Sequence, residues 1–309
     1  MNKQKPPNAI EWCRLRKPDG TFTAGYTWNV IGGCKHDCRW QMPDGTIAEC
    51  YAKTVAERVA QAAYPQGFEH HYFHPNRLKE PLRVKEPAGI FLDSMADLMG
   101  HWVPEAQIRQ VLEVCREASW HTFFLLTKNA PRLLQFEFPD NVWVGASSPP
   151  DWMFGKRLNR HKQVEMLRRT LDVLGRVKAK VRWISAEPLS WNCSGVFREH
   201  PGAVNWVVIG AASRGREEYP PAEADVLALL DVLDAQQVAV FYKGNMRSLD
   251  AAWEDWRADF PDELFAPRVR CDQVDYDMPW AAYAPPAESD GVRRQNVASE
   301  PVVAQLSLF

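Results

Sequence analysis

The sequence predicts an α/β protein built on a complete or partial (β/α) barrel. Short runs rich in Val, Ile, Phe and Trp alternate with amphipathic helical patterns. The 309 residues, 46% of them hydrophobic, are enough for one barrel-sized core. Polar side chains recur directly after the apolar runs, where a barrel carries its functional groups. A two-sided open α/β sheet would show a similar alternation and is the alternative fold.

Seven apolar runs have the length and composition of buried parallel strands. They are Thr27 to Ile31, Gly89 to Leu92, Thr122 to Leu126, Val142 to Gly145, Val181 to Ser185, Trp206 to Ile209 and Val238 to Tyr242. Helical patterns lie between most of these runs. They are Cys50 to Ala62, Pro104 to Ala118, Lys162 to Val177 and Ala222 to Ala235. The thirteen tryptophans fall mostly in these elements, so we expect core packing from them.

The composition divides the chain into three parts. We expect an N-terminal extension over residues 1–26, the barrel over 27–283, and a disordered tail over 284–309, where Pro, Ser, Glu, Asp and Arg dominate. The first residues lack the apolar core of a signal peptide, and no segment approaches the ~20 apolar residues of a membrane span. These features predict a cytoplasmic protein. The net charge of −2 requires any nucleic-acid surface to be a local patch.

Three of the seven cysteines, Cys34, Cys38 and Cys50, lie in one short stretch. Three thiolates suit a [4Fe–4S] cluster whose fourth iron is free to bind another molecule, which in radical chemistry is S-adenosylmethionine. Spacing alone leaves zinc almost equally favoured, with His36 as a fourth tetrahedral ligand. In the cluster interpretation His36 becomes an ordinary solvated loop residue. The scattered Cys13, Cys115, Cys193 and Cys271 are expected to be structural.

Several motifs occur in the order of a known family. They are Trp28-Asn29-Val30-Ile31-Gly32-Gly33-Cys34, Cys50-Tyr51-Ala52, Phe91-Leu92-Asp93-Ser94-Met95-Ala96-Asp97-Leu98, Leu126-Thr127-Lys128, Val142-Trp143-Val144-Gly145-Ala146-Ser147, Ile184-Ser185-Ala186-Glu187-Pro188-Leu189 and Phe241-Tyr242-Lys243. Together they resemble a phage- and bacterial-encoded three-cysteine radical S-adenosylmethionine family, distantly similar to spore photoproduct lyase. The resemblance implies a barrel of the radical S-adenosylmethionine type. The sequence departs from this family in two places. Eleven residues separate its second and third cysteines, where the usual C-x3-C-x2-C motif has two. Its sixth strand is followed by Gly210-Ala211-Ala212-Ser213, where a Gly-Gly-Glu-Ser-like turn is expected.

Five further residues are candidates for the site at the strand ends. The resemblance implies that Asp97, with Ser94 on the same turn, helps to seat S-adenosylmethionine; a cap or turn role for Asp97 is equally favoured. Lys128, Glu187 and Lys243 would face the barrel mouth, where Lys neutralises phosphate or carboxylate and Glu accepts a hydrogen bond. The alternative for these three is an ion-pair network that braces the strand ends.

Two features point to nucleic-acid partners. Residues 156–182 contain ten Lys or Arg and two acidic residues, a net charge of +8, which could neutralise phosphates or could be a solvated helix face. The terminal Gln305-Leu306-Ser307-Leu308-Phe309 resembles the peptide by which bacterial polymerases dock on the DNA sliding clamp; a tail folded back on its own domain is the alternative.

The sequence therefore predicts a radical S-adenosylmethionine enzyme, lyase- or transferase-like, acting on DNA or a nucleotide base and served by a reductant protein. Its cofactors would be a [4Fe–4S] cluster and S-adenosylmethionine. Two alternatives stay open: a zinc-bearing nucleic-acid-binding protein without catalysis, and a clamp-associated accessory protein that has lost the chemistry.

Overall fold

The computed structural model describes residues 1–5, 10–17, 21–214, 217–250, 252 and 255–261. Its strands are β1 Asn2–Lys3, β2 Ala24–Trp28, β3 Ile31–Gly32, β4 Arg39–Gln41, β5 Ile47–Glu49, β6 Tyr72–Phe73, β7 Ala88–Leu92, β8 Thr122–Thr127, β9 Val142–Ser147, β10 Trp152–Met153, β11 Lys156–Arg157, β12 Arg182–Ala186, β13 Trp206–Ile209, β14 Ala212–Arg214, β15 Glu217–Tyr219 and β16 Ala239–Tyr242. Its α-helices are α1 Tyr51–Arg58, α2 Glu105–Glu117, α3 Arg160–Leu174, α4 Ser194–Arg198 and α5 Glu223–Ala235.

The main sheet is a partial barrel. Its strand order is β1-β2-β7-β8-β9-β12-β13-β16, and every neighbouring pair is parallel except β1 with β2. The order follows the chain without the reversal that defines a two-sided sheet. Within the described residues β1 and β16 do not pair with each other, so the barrel is open at that seam. The predicted α/β barrel class is therefore confirmed in its partial form.

The first predicted strand was misplaced. The structure has β2 at Ala24–Trp28, and the apolar residues that follow belong to the exit from the sheet. Ile31 donates its N–H to Asp93 Oδ1 (2.8 Å) and pairs with Phe73 in a separate two-stranded ribbon. Both Val30 and Ile31 are fully buried, which is why the apolar pattern ran beyond the end of the strand. The other six predicted strands agree with the structure within a few residues.

The N-terminal residues help to fill the barrel. The Trp12 ring lies 4.9 Å from the Phe91 ring and 5.1 Å from that of Trp183, on strands from different parts of the sheet. Part of the segment predicted as an extension therefore belongs to the barrel itself. A Cβ at Gly145 would approach the Trp183 indole to 2.3 Å, so this strand position has no room for a side chain. Tryptophan packing in the core is confirmed for Trp12, Trp143 and Trp183.

The helices fit an outer layer over the sheet. Strands β7, β13 and β16 are buried at every residue, which requires cover on both faces. Helix α2 buries Ile108, Val111, Leu112 and Cys115, the spacing of a single apolar face. No helix in the described part of the chain is long and apolar enough to cross a membrane. The predicted tail, with its terminal peptide, and Cys271 lie outside the described residues.

Candidate metal centre at the barrel mouth

The chain reaches the first cysteine through a tight glycine position. Gly33 has φ +81°, and a Cβ there would lie 1.7 Å from the carbonyl oxygen of His70. The Gly33 N–H donates to the Met95 carbonyl (3.2 Å), and the Cys34 N–H donates to that of Phe68 (2.8 Å). Only glycine fits this conformation and this close approach. These contacts fix the Cys34 loop against the turn that follows β7.

The eleven residues between the second and third cysteines form a β-hairpin. Strands β4 and β5 pair with Arg39 opposite Glu49, and Gly45, with φ +84°, lies in the turn. The Cys50 N–H donates to the Cys38 carbonyl (3.0 Å) at the base of this hairpin. Cys50 is also the N-cap residue of α1. The hairpin therefore brings Cys50 back beside Cys38 despite the long gap in sequence.

The three thiols are electrostatic neighbours of one lysine. Cys34 and Cys50 pack against the same small apolar cluster, formed by Ala52, Ala56 and Phe68. The Lys128 ammonium donates to Ser147 Oγ (3.1 Å). Burial alone would lower the pKa of Lys128, but the charges of Cys38, Cys50, Asp97 and Cys34 raise it. The charge of Lys128 in turn lowers the pKa of the Cys38 thiol against the effect of burial, which favours the anionic form that ligates iron.

The chemistry of the three cysteines fits the [4Fe–4S] cluster that the sequence predicts. All three cysteines are free thiols, and burial raises the pKa of Cys38 to about 12, a desolvation cost that metal ligation offsets. Among the residues the structure describes, no three Cys, His, Asp or Glu side chains are grouped closely enough to hold one metal ion. Three thiolates are donors that both a [4Fe–4S] cluster and zinc accept.

His36 is a buried hydrogen-bonding residue, and the expectation of a solvated loop residue was wrong. It is 3% exposed, and its Nε2 lies 2.7 Å from Asp97 Oδ2. The Trp102 and Phe154 rings lie edge-on to the imidazole, at 5.0 and 5.2 Å, and exclude water from it. His36 thus links the cysteine loop to Asp97, and its Nδ1 has no hydrogen-bond partner within the described residues.

Asp97 is held by the protein on both carboxylate oxygens. Besides His36, it accepts hydrogen bonds from the Lys128 N–H (2.8 Å) and the Met99 N–H (3.0 Å). Burial would raise the pKa of Asp97, but the hydrogen bond and charge of His36 lower it below its usual value. The hydrogen bond from the Met99 N–H, two residues further along the chain, corresponds to the turn role considered for Asp97. Its contact with a cofactor stays a prediction, and the structure assigns it a bracing role between the cysteine loop and β8.

Ser94 lies between the cysteine helix and the second strand end. Its hydroxyl donates to Asn29 Oδ1 (3.1 Å), and its carbonyl accepts the Tyr51 hydroxyl (2.6 Å). Tyr51 directly follows Cys50 and is 58% exposed. Ser94 therefore links the turn after β7 to the start of α1.

At the ends of β12 and β16, Glu187 and Lys243 form an ion pair. Their Oε2 and Nζ atoms are 3.0 Å apart, and Ser185 Oγ donates to the other Glu187 oxygen (3.1 Å). The ion pair corresponds to the alternative in which these residues brace the strand ends. Both side chains are partly exposed, so a ligand can also reach them.

Sequence reasoning missed Glu11 at this end of the barrel. Its carboxyl is 9% exposed, and its Oε2 has no hydrogen-bond partner within the described residues. Burial raises the pKa of Glu11, and Lys243 only partly offsets it. A polar residue preceding a tryptophan gave no sequence signal, because only the fold brings this N-terminal turn to the strand ends.

The basic run of residues 156–182 covers β11, α3 and the start of β12. Several of its charges have acidic partners. Arg168 binds Glu199 through two hydrogen bonds (2.8 and 2.9 Å), and Lys162 binds Glu165 (3.0 Å). Part of the run is thus a solvated, paired helix face.

Fold and site together define a partial (β/α) barrel protein with a three-cysteine loop at the carboxyl ends of its strands. The chain belongs to the family described as "Protein of unknown function (DUF5131)", which it matches over residues 9–258. No curated protein matches the sequence.

Three solved structures illustrate the similarity of fold. A cysteine-to-serine mutant of spore photoproduct lyase has 9% sequence identity and a TM-score of 0.44, covering 74% of this chain and 79% of its own. Spore photoproduct lyase complexed with dinucleoside spore photoproduct has 10% identity and a TM-score of 0.41, with 74% and 78% covered. A radical SAM methyltransferase from Sphaerobacter thermophilus has 13% identity and a TM-score of 0.38, with 74% and 68% covered. Because each TM-score is below 0.5, the function proposed below rests on this chain's own residues.

Proposed function

We propose that the protein is a radical S-adenosylmethionine enzyme whose [4Fe–4S] cluster is held by Cys34, Cys38 and Cys50. The observation that carries the proposal is the return of Cys50 to Cys38 through the β4–β5 hairpin, where the Cys50 N–H donates to the Cys38 carbonyl (3.0 Å). Such a cluster, when bound, supplies the electron that cleaves S-adenosylmethionine to a 5′-deoxyadenosyl radical. Three cysteine ligands leave one iron for that molecule.

The chain's own residues provide the surroundings that this chemistry needs. Lys128 offsets the negative charge of three thiolates, and Asp97 holds His36 and thereby the loop between the first two ligands. Ser94 and Asp97 lie on the turn we propose for seating S-adenosylmethionine. The Glu187–Lys243 pair would meet the substrate with groups of opposite charge.

For the substrate we propose DNA or a nucleotide base, in a lyase- or transferase-like reaction that modifies or repairs it. The support is the basic run over residues 156–182, which carries a net charge of +8 in a chain whose total is −2. We also propose a cytoplasmic location, which the free thiols of the described cysteines support. A reductant protein is the electron donor that such a cluster would need.

The proposal is tested by anaerobic reconstitution with iron and sulfide, followed by incubation with S-adenosylmethionine and dithionite. We expect 5′-deoxyadenosine from the wild-type protein and none from Cys38→Ser. Cys193→Ser is the control, because Cys193 is also buried but lies outside the three-cysteine loop. This variant should retain the product. Equal product from wild type and Cys38→Ser, or none from wild type with a full cluster, would reject the proposal.

We also propose that Gln305, Leu306, Ser307, Leu308 and Phe309 dock on the DNA sliding clamp. The support is the spacing of two leucines, an aromatic residue and a glutamine, which suits a hydrophobic groove. Titration of purified clamp with the full chain should show binding that Leu308→Ala/Phe309→Ala abolishes. Binding that this double variant leaves unchanged would exclude the peptide as the docking element.

A further inference from the structure

A cleft of about 470 Å³ opens where α3 begins, beside the hairpin that separates the second and third cysteines. Its lining includes Gln41, Arg157, Asn159, Arg160, Gln163 and Ser190. We propose that this cleft binds the phosphodiester backbone of a nucleic-acid strand and so seats the substrate beside the barrel mouth. The inference deepens the proposed function, on which it rests, because it gives the substrate's recognition site.

Two guanidinium groups in the cleft lie over tryptophan rings. Arg157 Cζ lies 5.0 Å from the ring centroid of Trp152, and Arg160 Cζ lies 4.8 Å from that of Trp191. The attraction between a cation and an aromatic face restricts the motion of each guanidinium. The guanidinium group suits the bidentate recognition of phosphate oxygens.

These two arginines differ from others of the basic run because their partners are neutral. Arg157 donates to Gln41 Oε1 and Arg160 to Gln163 Oε1, both at 2.8 Å. Among the described residues neither forms an ion pair with a carboxylate. Each guanidinium has five N–H donors, so most remain available to a ligand.

One carboxylate shares the cleft, and its oxygens are already in use. Asp151 Oδ2 accepts the Gln41 N–H (2.9 Å), and its Oδ1 accepts from Gln163 Nε2 (3.0 Å). The lining itself holds two arginines and one aspartate and is net positive, while Asp225 of α5 acts on Arg160 from outside the lining. An anion is therefore the class of ligand that this lining favours.

The cleft is joined to the cysteine loop through the backbone. The Asp151 N–H donates to the carbonyl of Arg39 (3.1 Å), the residue that follows Cys38. On its other side, Ser190 belongs to the segment that follows Glu187 out of β12. A strand bound by its phosphates in the cleft would thus run next to both halves of the proposed site.

The test measures binding of the full chain to a fluorescein-labelled oligonucleotide of about 12 nucleotides, in one DNA arm and one RNA arm. Arg157→Gln/Arg160→Gln should weaken binding roughly a hundredfold, since it removes two charge-assisted contacts that are each worth about a factor of ten. Arg169→Gln is the matched control. It lies nine residues after Arg160 on α3, about 13 Å along the axis and half a turn round, and is exposed.

Binding to either oligonucleotide that falls in the double variant but not in Arg169→Gln supports the cleft, and the stronger arm identifies the nucleic acid. Because Arg169→Gln removes one charge and the double variant removes two, an equal fall in binding free energy per charge removed would mean diffuse attraction to the basic run. That result would overturn the inference, as would absence of binding in both arms. Binding is also measured in Cys38→Ser. Loss of 5′-deoxyadenosine with retained oligonucleotide binding separates failure of the radical chemistry from failure of the cleft.

Discussion

Asp93 offers a test of the strand-exit geometry that delivers the chain to the first cysteine. Its carboxyl is 2% exposed, its Oδ1 accepts the Ile31 N–H (2.8 Å), and its Oδ2 has no partner within the described residues. Burial raises the pKa of Asp93 to about 8, against the lowering effect of two backbone N–H groups. The folded protein therefore holds a proton on this group at neutral pH.

The sign and size of the pH effect follow from that shift. Between the unfolded value near 3.8 and the folded value near 8, the folded state binds a proton that the unfolded state lacks. Stability therefore falls as pH rises, by about 1.4 kcal/mol per pH unit, or about 4 kcal/mol from pH 5 to pH 8. Asp93→Asn keeps the acceptor and the shape but does not titrate. The position has φ +52°, a conformation that asparagine tolerates.

Urea unfolding of wild type and Asp93→Asn at several pH values between 5 and 8 measures this contribution. As pH rises, the free energy of unfolding of Asp93→Asn should increase relative to that of the wild type by about 1.4 kcal/mol per pH unit. Asp140→Asn, at an exposed aspartate, is the control and should run parallel to wild type. Parallel curves for Asp93→Asn would show that the carboxyl is ionised in the fold and would refute the reasoning.

Three further predictions concern the site. Gly33→Ala should lower the iron bound on reconstitution, because its Cβ would lie 1.7 Å from a carbonyl oxygen. The control is Gly67→Ala, also at positive φ but with nothing within 4 Å of the added Cβ, and it should keep its iron. Equal iron in both variants would contradict the close approach. Asp97→Asn should lower the free energy of unfolding, measured in urea, by about 2 kcal/mol, since one of its hydrogen bonds becomes a contact between two donors. An unchanged urea midpoint would argue against these hydrogen bonds. Lys243→Met should reduce substrate turnover and leave iron content unchanged, because it removes only the partner of Glu187, and a matching fall in iron would count against that role.

The main sheet was readable from the sequence because its strands are continuous apolar runs. Six of the seven predicted strands have close counterparts, and all helical patterns correspond to helices. The exception is Thr27 to Ile31, where an apolar run does not distinguish a strand from a buried segment outside the sheet. Val30 and Ile31 are buried as a strand would be, but a tertiary hydrogen bond to Asp93 takes the chain out of the sheet.

The candidate site was only partly predictable, because its decisive contacts are nonlocal. The Pro43-Asp44-Gly45 turn was a local signal for the hairpin that returns Cys50 to Cys38, and turn chemistry could have explained the long gap. No local signal existed for the His36–Asp97 contact, which joins residues 61 positions apart. The stacked arginines likewise depend on Trp152 and Trp191, whose rings only the fold brings to them.

The central claim is that three cysteines hold one iron–sulfur cluster, and the most direct measurement is the iron and acid-labile sulfide content of anaerobically purified protein. The account predicts a brown protein with about four iron and about four sulfide per chain, lost on substitution of Cys34, Cys38 or Cys50. A colourless protein that binds zinc without sulfide, or one whose iron survives these substitutions, would contradict it.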